Sequence, residues 1–130
     1  MRTYRIAAWC CIIAMAANTS SVFGQNLFKK LMQNHYKVKS VSCNSCHVSG
    51  KPKTMRSDFG KLFDTELKGK DISKRLEDAK NNPEQKAAVE KVVATEFMDA
   101  LKKIDKKEYP GSGTYGDAIQ AGKINGIKVE

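Results

Sequence analysis

The sequence predicts an all-α domain, and three observations carry that prediction. Apolar residues past position 25 recur at three- and four-residue spacing. Asn82-Pro83-Glu84-Gln85 is a strong helix-start signal: an N-cap residue, proline at the first helical position, and Gln three residues after the cap. No Asn-Gly hairpin signal lies between two strand-like runs, and no internal repeat or low-complexity tract is present. At 130 residues the chain has room for one domain.

The elements follow in order. Asn26 can cap a helix from Leu27 to about Tyr36, with Leu27, Phe28, Leu31, Met32, His35 and Tyr36 at helical spacing. Lys37 to Val41 alternates weakly. Ser57-Asp58 can open a second helix with Phe59, Leu62, Phe63 and Leu67 on one side, ended by Gly69. A short third helix spans about Ser73 to Ala79. The helix opened by Asn82 runs to about Lys107, with Val89, Val93, Phe97, Leu101 and Ile104 as its buried stripe. Tyr109 to Gly113 breaks it. Thr114 then caps a last turn or two through Ala121, closed by Gly122. Asn125-Gly126 is a turn signal with too little chain after it to matter.

Residues 1–24 read as a secretory signal rather than as part of the fold. Arg2 and Arg5 give a positive start, Ile6 to Ala17 is apolar, and a polar stretch from Asn18 to Ser21 follows. Val22-Phe23-Gly24 places cleavage before Gln25, with a cut after Ala16 as the alternative. An uncleaved anchor or short core helix is the competing reading, but the apolar run falls short of the roughly 20 residues that span a bilayer. Bulky Trp9 before Cys10 disfavours lipid attachment. The mature domain is then 25–130, periplasmic or otherwise exported, with no stable membrane insertion. It keeps two of four cysteines, Cys43 and Cys46, and both histidines, His35 and His47.

Charge is uneven. No Asp or Glu precedes Asp58, while Lys29, Lys30, Lys37, Lys39, Lys51, Lys53 and Arg56 lie between 25 and 57. That third carries the whole mature excess. Such a field can steer an acidic partner, although lysines also simply keep small proteins soluble. Nucleic acid is a poor fit, because the signal exports the chain and no aromatics interleave the basic residues.

Cys43-Asn44-Ser45-Cys46-His47 is the c-type haem attachment sequence. Two thiols separated by two residues reach the two vinyl groups on one edge of a porphyrin. The following histidine is held beneath the ring to ligate iron. A thioredoxin-like thiol pair shares the cysteine spacing, but that fold needs βαβ units. A structural zinc site would need Cys43, Cys46, His47 and His35 together, and adjacent Cys46 and His47 make poor tetrahedral partners. A surface disulfide leaves His47 unexplained.

Cys43 to His47, with a helix before and helices after, resembles the small single-haem cytochrome c family. The resemblance implies a helical fold wrapped around one covalent haem c, an exported location, and electron carriage rather than enzymatic turnover. Carried over by position, Cys43 and Cys46 would form the thioethers and His47 would be the proximal ligand. His47 to Phe63, with Gly50, Arg56, Phe59 and Gly60, is also similar to less-characterised bacterial proteins in which a Gly-containing loop and an aromatic-Gly pair follow the haem motif.

The sixth iron ligand is open at this stage. The familiar cytochromes use a downstream methionine beside proline, and this chain has no Met-Pro loop. Met98 lies on the long helix about 110° from the centre of its apolar stripe at 100° per residue, which suits a side chain aimed at a second surface. It is the first candidate, against the bland reading of a core-edge methionine. Met55, in a Lys-rich loop, Met32 and His35 are the alternatives. His35 would give a bis-histidine site, and is otherwise an ordinary hydrogen-bonding histidine. Two function classes follow. A six-coordinate iron means an electron carrier with acidic redox partners, or a haem subunit of a larger redox complex. A five-coordinate iron means a binder or sensor of small diatomic ligands, with weak peroxidase activity ranked below.

Overall fold

A computed structural model describes residues 22–130, with side chains from Asn26 onward. Five α-helices account for most of it: α1 (Val22–Tyr36), α2 (Asp58–Glu66), α3 (Ile72–Ala79), α4 (Pro83–Asp105) and α5 (Tyr115–Gln120). The mostly helical fold expected from the periodicity is therefore present. Residues 1–21, which hold most of the expected secretory signal, lie outside the described residues. No helix of the described residues is long and apolar enough to cross a membrane.

Local signals explain the helix starts. Asn82 accepts a hydrogen bond from the Gln85 amide at 3.2 Å, with Pro83 opening α4. Ser57 caps α2 by accepting from the Gly60 amide at 3.0 Å. Thr114 and Asp117 form a reciprocal capping box at the start of α5. One start differs from expectation. Asn26 sits inside α1, which begins at Val22, because in the longer chain the backbone before Asn26 continues the helix instead of ending at a cap.

The long helix α4 is the central beam, in contact with every other helix. Val93, Phe97, Leu101 and Ile104 are buried along it as the stripe predicted, joined by Ala100. Val89 is only half-buried, since the first turns of α4 project past the core. A ladder of rings crosses the interior: Phe28 stacks on Phe97 at 4.3 Å, and Phe97 stacks on Phe63 at 4.8 Å. Phe63 meets Phe59 edge-on at 5.1 Å. At the far end, Asp105 binds His35 Nε2 at 2.8 Å and accepts from the Tyr36 hydroxyl, fastening the end of α1 to the end of α4.

The C-terminus corrects the sequence reading. Asn125-Gly126 does matter, because it turns the chain into β2 (Ile127–Lys128), which pairs antiparallel with β1 (Ser40–Val41). The two strands are far apart in sequence, so no local hairpin pattern announces them. Ile127 and Val41 are buried partners in that register, and their burial drives the pairing.

Candidate functional site

The Cys43-to-His47 motif forms a tight turn between β1 and α2. Cys43 to Ser45 make one 3₁₀ turn, and the amides of Cys46 and His47 both donate to the Cys43 carbonyl, at 3.2 and 3.0 Å. This winding allows two cysteines three apart to face one side.

Neighbouring segments staple the turn in place. The Ser57 hydroxyl donates to the Ser45 carbonyl at 2.7 Å while accepting from Gly60, and the Ser57 amide donates to the Cys46 carbonyl at 3.0 Å. The Ser45 hydroxyl, in a buried residue, donates to the Ser42 carbonyl at 2.8 Å. The Ser42 amide donates to the Gly126 carbonyl at 2.8 Å, so the C-terminal strand closes the other flank. His47 and Arg56 bridge through their backbones across the loop that carries Lys51 and Lys53.

A cleft of about 1270 Å³ opens on this turn, and Cys43, Cys46 and His47 all line it. Its apolar wall comes from several further segments: Phe28 and Met32 on α1, Phe63 on α2 with Leu67 at its C-cap, and Ile72 and Leu76 on α3. Phe97 of α4 forms part of the same wall. Lysines from the N-terminal helix, the loop, α3 and α4 also face it, among them Lys29, Lys53, Lys74 and Lys86. Cofactor clefts commonly enclose about 300–1,000 Å³ between mostly apolar walls, so this one has room for a large planar group.

The side chains carry definite chemistry. Arg56 Nη1 lies 2.9 Å from His47 Nε2, and its Nε bonds Asp64 at 3.1 Å. A guanidinium can only donate, so in this contact Nε2, or Nδ1 at 3.5 Å, offers Arg56 a lone pair. A lone pair there is what metal ligation requires. Arg56 is about one-third exposed and is anchored by Asp64. Burial pushes the Cys46 thiol up in pKa, outweighing the lowering by Ser45 and by the Arg56 charge.

The donor set fits the group that the motif implies. Cys43 and Cys46 could hold a porphyrin edge, His47 its iron, and the basic side chains its two carboxylates. Glu90 Oε1 is also buried on the cleft wall with no hydrogen-bond partner among the described residues, and as an acceptor it calls for a donor that an iron-bound porphyrin does not carry. Such an atom costs about 1–3 kcal/mol unless something in the cleft satisfies it.

Of the four distal candidates, one shares this cleft. Met32 lines it. His35 is engaged with Asp105 instead and does not line it, so the four zinc donors weighed from sequence do not come together. Met55 is 48% exposed and lines a separate shallow depression with Val48 and Lys61. Met98, the first candidate by helical phase, is half-buried against the core and does not line the cleft. Its phase aims it away from the main stripe as expected, but toward a flank of the core.

Sequence reasoning missed three contributors. Arg56 was visible as one of the basic residues and as part of a resemblance, with no sign of its contact with His47. Ser57 read as a cap, with no sign of its second bond to Ser45. Glu90 was not singled out, and nothing in its local pattern distinguishes it. No protein-family model, curated protein or solved structure matches this chain.

Proposed function

We propose that this chain is an exported monohaem c-type cytochrome that carries single electrons between redox proteins. One observation carries the reading: Cys43, Cys46 and His47 line a single cleft of about 1270 Å³ whose remaining wall combines apolar side chains, among them Phe28, Phe63 and Phe97, with charged ones. A thiol-exchange or zinc function has no use for such a volume beside its cysteines.

Haem, when bound there, supplies a one-electron iron couple. The chain's own residues do the rest. Cys43 and Cys46 would fix the ring edge, and His47 Nε2, which Arg56 Nη1 contacts at 2.9 Å, would hold the iron in place of that contact. Phe28, Phe63 and Phe97 exclude water from the buried side. Lys29, Lys53 and Lys86 line the same cleft and would supply cations for the ring carboxylates. Lys51 and Lys53, both exposed, present positive charge to an acidic partner beside the cleft mouth. A haem subunit of a larger complex gains little support. Val92 is the one large apolar residue strongly exposed on α4 among the described residues, and single exposed residues of that kind are ordinary.

The test is export of the full chain in a host with a haem-attachment system, followed by oxidised and reduced visible spectra with and without carbon monoxide. A c-type reduced spectrum that carbon monoxide leaves unchanged supports the carrier. A high-spin spectrum that shifts with carbon monoxide moves the function to diatomic-ligand binding. Failure to attach haem beside a working control overturns both.

A further inference from the structure

We infer that Met32, on the helix that precedes the haem motif, is the second axial ligand of the iron. The inference rests on the haem reading above and goes beyond it, because it places the distal ligand upstream of His47.

Position makes the selection. A ligand must stand on the wall of the cleft that holds the iron, and Met32 meets that condition where His35, Met55 and Met98 do not. Met32 and His47 also hang from different elements, α1 and the 43–47 turn, so they can approach a ring from two directions. A single element could not supply both.

Chemistry makes the same selection. The other ligand-capable side chains on the wall are lysine amines and carboxylates. An amine must lose a proton before it can bind metal, and it competes with water for that proton. A thioether carries no proton, prefers apolar surroundings and suits haem iron. Met32 is 2% exposed and sits one helical turn from Phe28, inside the ring ladder. Its three rotatable side-chain bonds let the sulfur turn toward the cleft without moving the helix.

The experiment uses the exported, haem-loaded full chain and Met32→Leu, with Met98→Leu and Met55→Leu as controls. Haem content is measured separately by the alkaline pyridine spectrum. Leucine keeps the volume and apolarity of the site, so Met32→Leu should retain its haem. It should also lose the far-red thioether-to-iron band of the oxidised protein, turn high-spin, and bind carbon monoxide. The two control variants should keep the band. Met32→His should stay low-spin with a lower reduction potential. In the unsubstituted reduced protein, the methionine methyl shifted far upfield in the proton NMR spectrum should assign to Met32, a readout that needs no variant to fold. A Met32→Leu protein that keeps the band, or an upfield methyl assigned to another methionine, overturns the inference while leaving the haem reading intact. A loaded parent protein with neither band nor shifted methyl also overturns it. Absence of haem from the parent is a different failure, that of the preceding section.

Discussion

The carbonyl of Cys46 rests directly on Gly60 of α2. A Cβ built at Gly60 would fall onto that oxygen and lie 2.8 Å from its carbon. This closeness lets Ser57 reach both Ser45 and Cys46, and so fixes the motif against the helix. Gly60→Ala must push the turn away and break those bonds. The expected cost is about 2–4 kcal/mol, from overpacking plus lost hydrogen bonds. Haem attachment should fall with it. Thermal melts of the variant and haem content per chain check this, and a variant with parental melting and loading would remove Gly60 from the site's architecture.

Gly126 plays the matching role on the other flank. Its φ of +78° is left-handed, and a Cβ there would lie 2.6 Å from both Ser42 Oγ and the Ser45 amide nitrogen. Gly126→Ala therefore combines backbone strain with a clash against the turn that carries Cys43 and Cys46. Truncation after Asn125 removes β2 without the clash. Both should lower stability, by about 1–3 kcal/mol for the substitution, and both should speed hydrogen exchange at the Ser42 and Lys39 amides, which donate to Gly126 and Lys128. Unchanged exchange at those two amides would show that the C-terminal strand does not brace the motif.

Legibility in the sequence followed the range of the interaction. Asn82, Ser57 and Thr114 announce helices because a cap acts within three residues, and all three accept the expected bond. The Cys43, Cys46 and His47 cluster was legible because its chemistry demands a fixed spacing. The pairing of Val41 with Ile127 was not, since only burial after folding joins positions so distant. The distal ligand failed for a related reason. Helical phase says that Met98 points off the stripe, but which surface lies in that direction depends on how α1, α2 and α3 pack around α4. Met32 shows the converse: it stands at a core position of α1, was one alternative among four from sequence, and lines the cleft.

Tyr36 should make the fold sensitive to alkali. Its hydroxyl is held well above the usual tyrosine pKa, first by burial and then by the bond and charge of Asp105. The folded chain thus keeps a proton that the unfolded chain gives up near pH 10. Stability from this group is complete below about pH 10 and declines as pH rises beyond it. Melting temperature should drop from about pH 10 upward in the parent, and less steeply in Tyr36→Phe. Tyr36→Phe should itself be less stable at neutral pH, by about 1 kcal/mol, for loss of the hydrogen bond. Equal slopes in the two proteins would place the alkaline sensitivity elsewhere.

Lys51 and Lys53 test the steering part of the proposed function. Both are exposed on the loop between His47 and Arg56, and Lys53 also lines the cleft mouth. Neither forms an ion pair with a carboxylate among the described residues, so their field is not cancelled locally. Arg56, by contrast, is paired with Asp64. Replacing both lysines with glutamate changes the local charge by four units without touching a buried side chain. With the haem-loaded protein, oxidation by anionic ferricyanide at low ionic strength should slow by about tenfold, while oxidation by a cationic cobalt complex should accelerate. The difference should shrink as salt shortens the screening length to about 8 Å near 0.15 M. Haem content and potential serve as controls, because a change in driving force would move both reagents in the same direction. Identical rates with both reagents at low salt would show that the basic loop keeps the protein soluble and steers nothing.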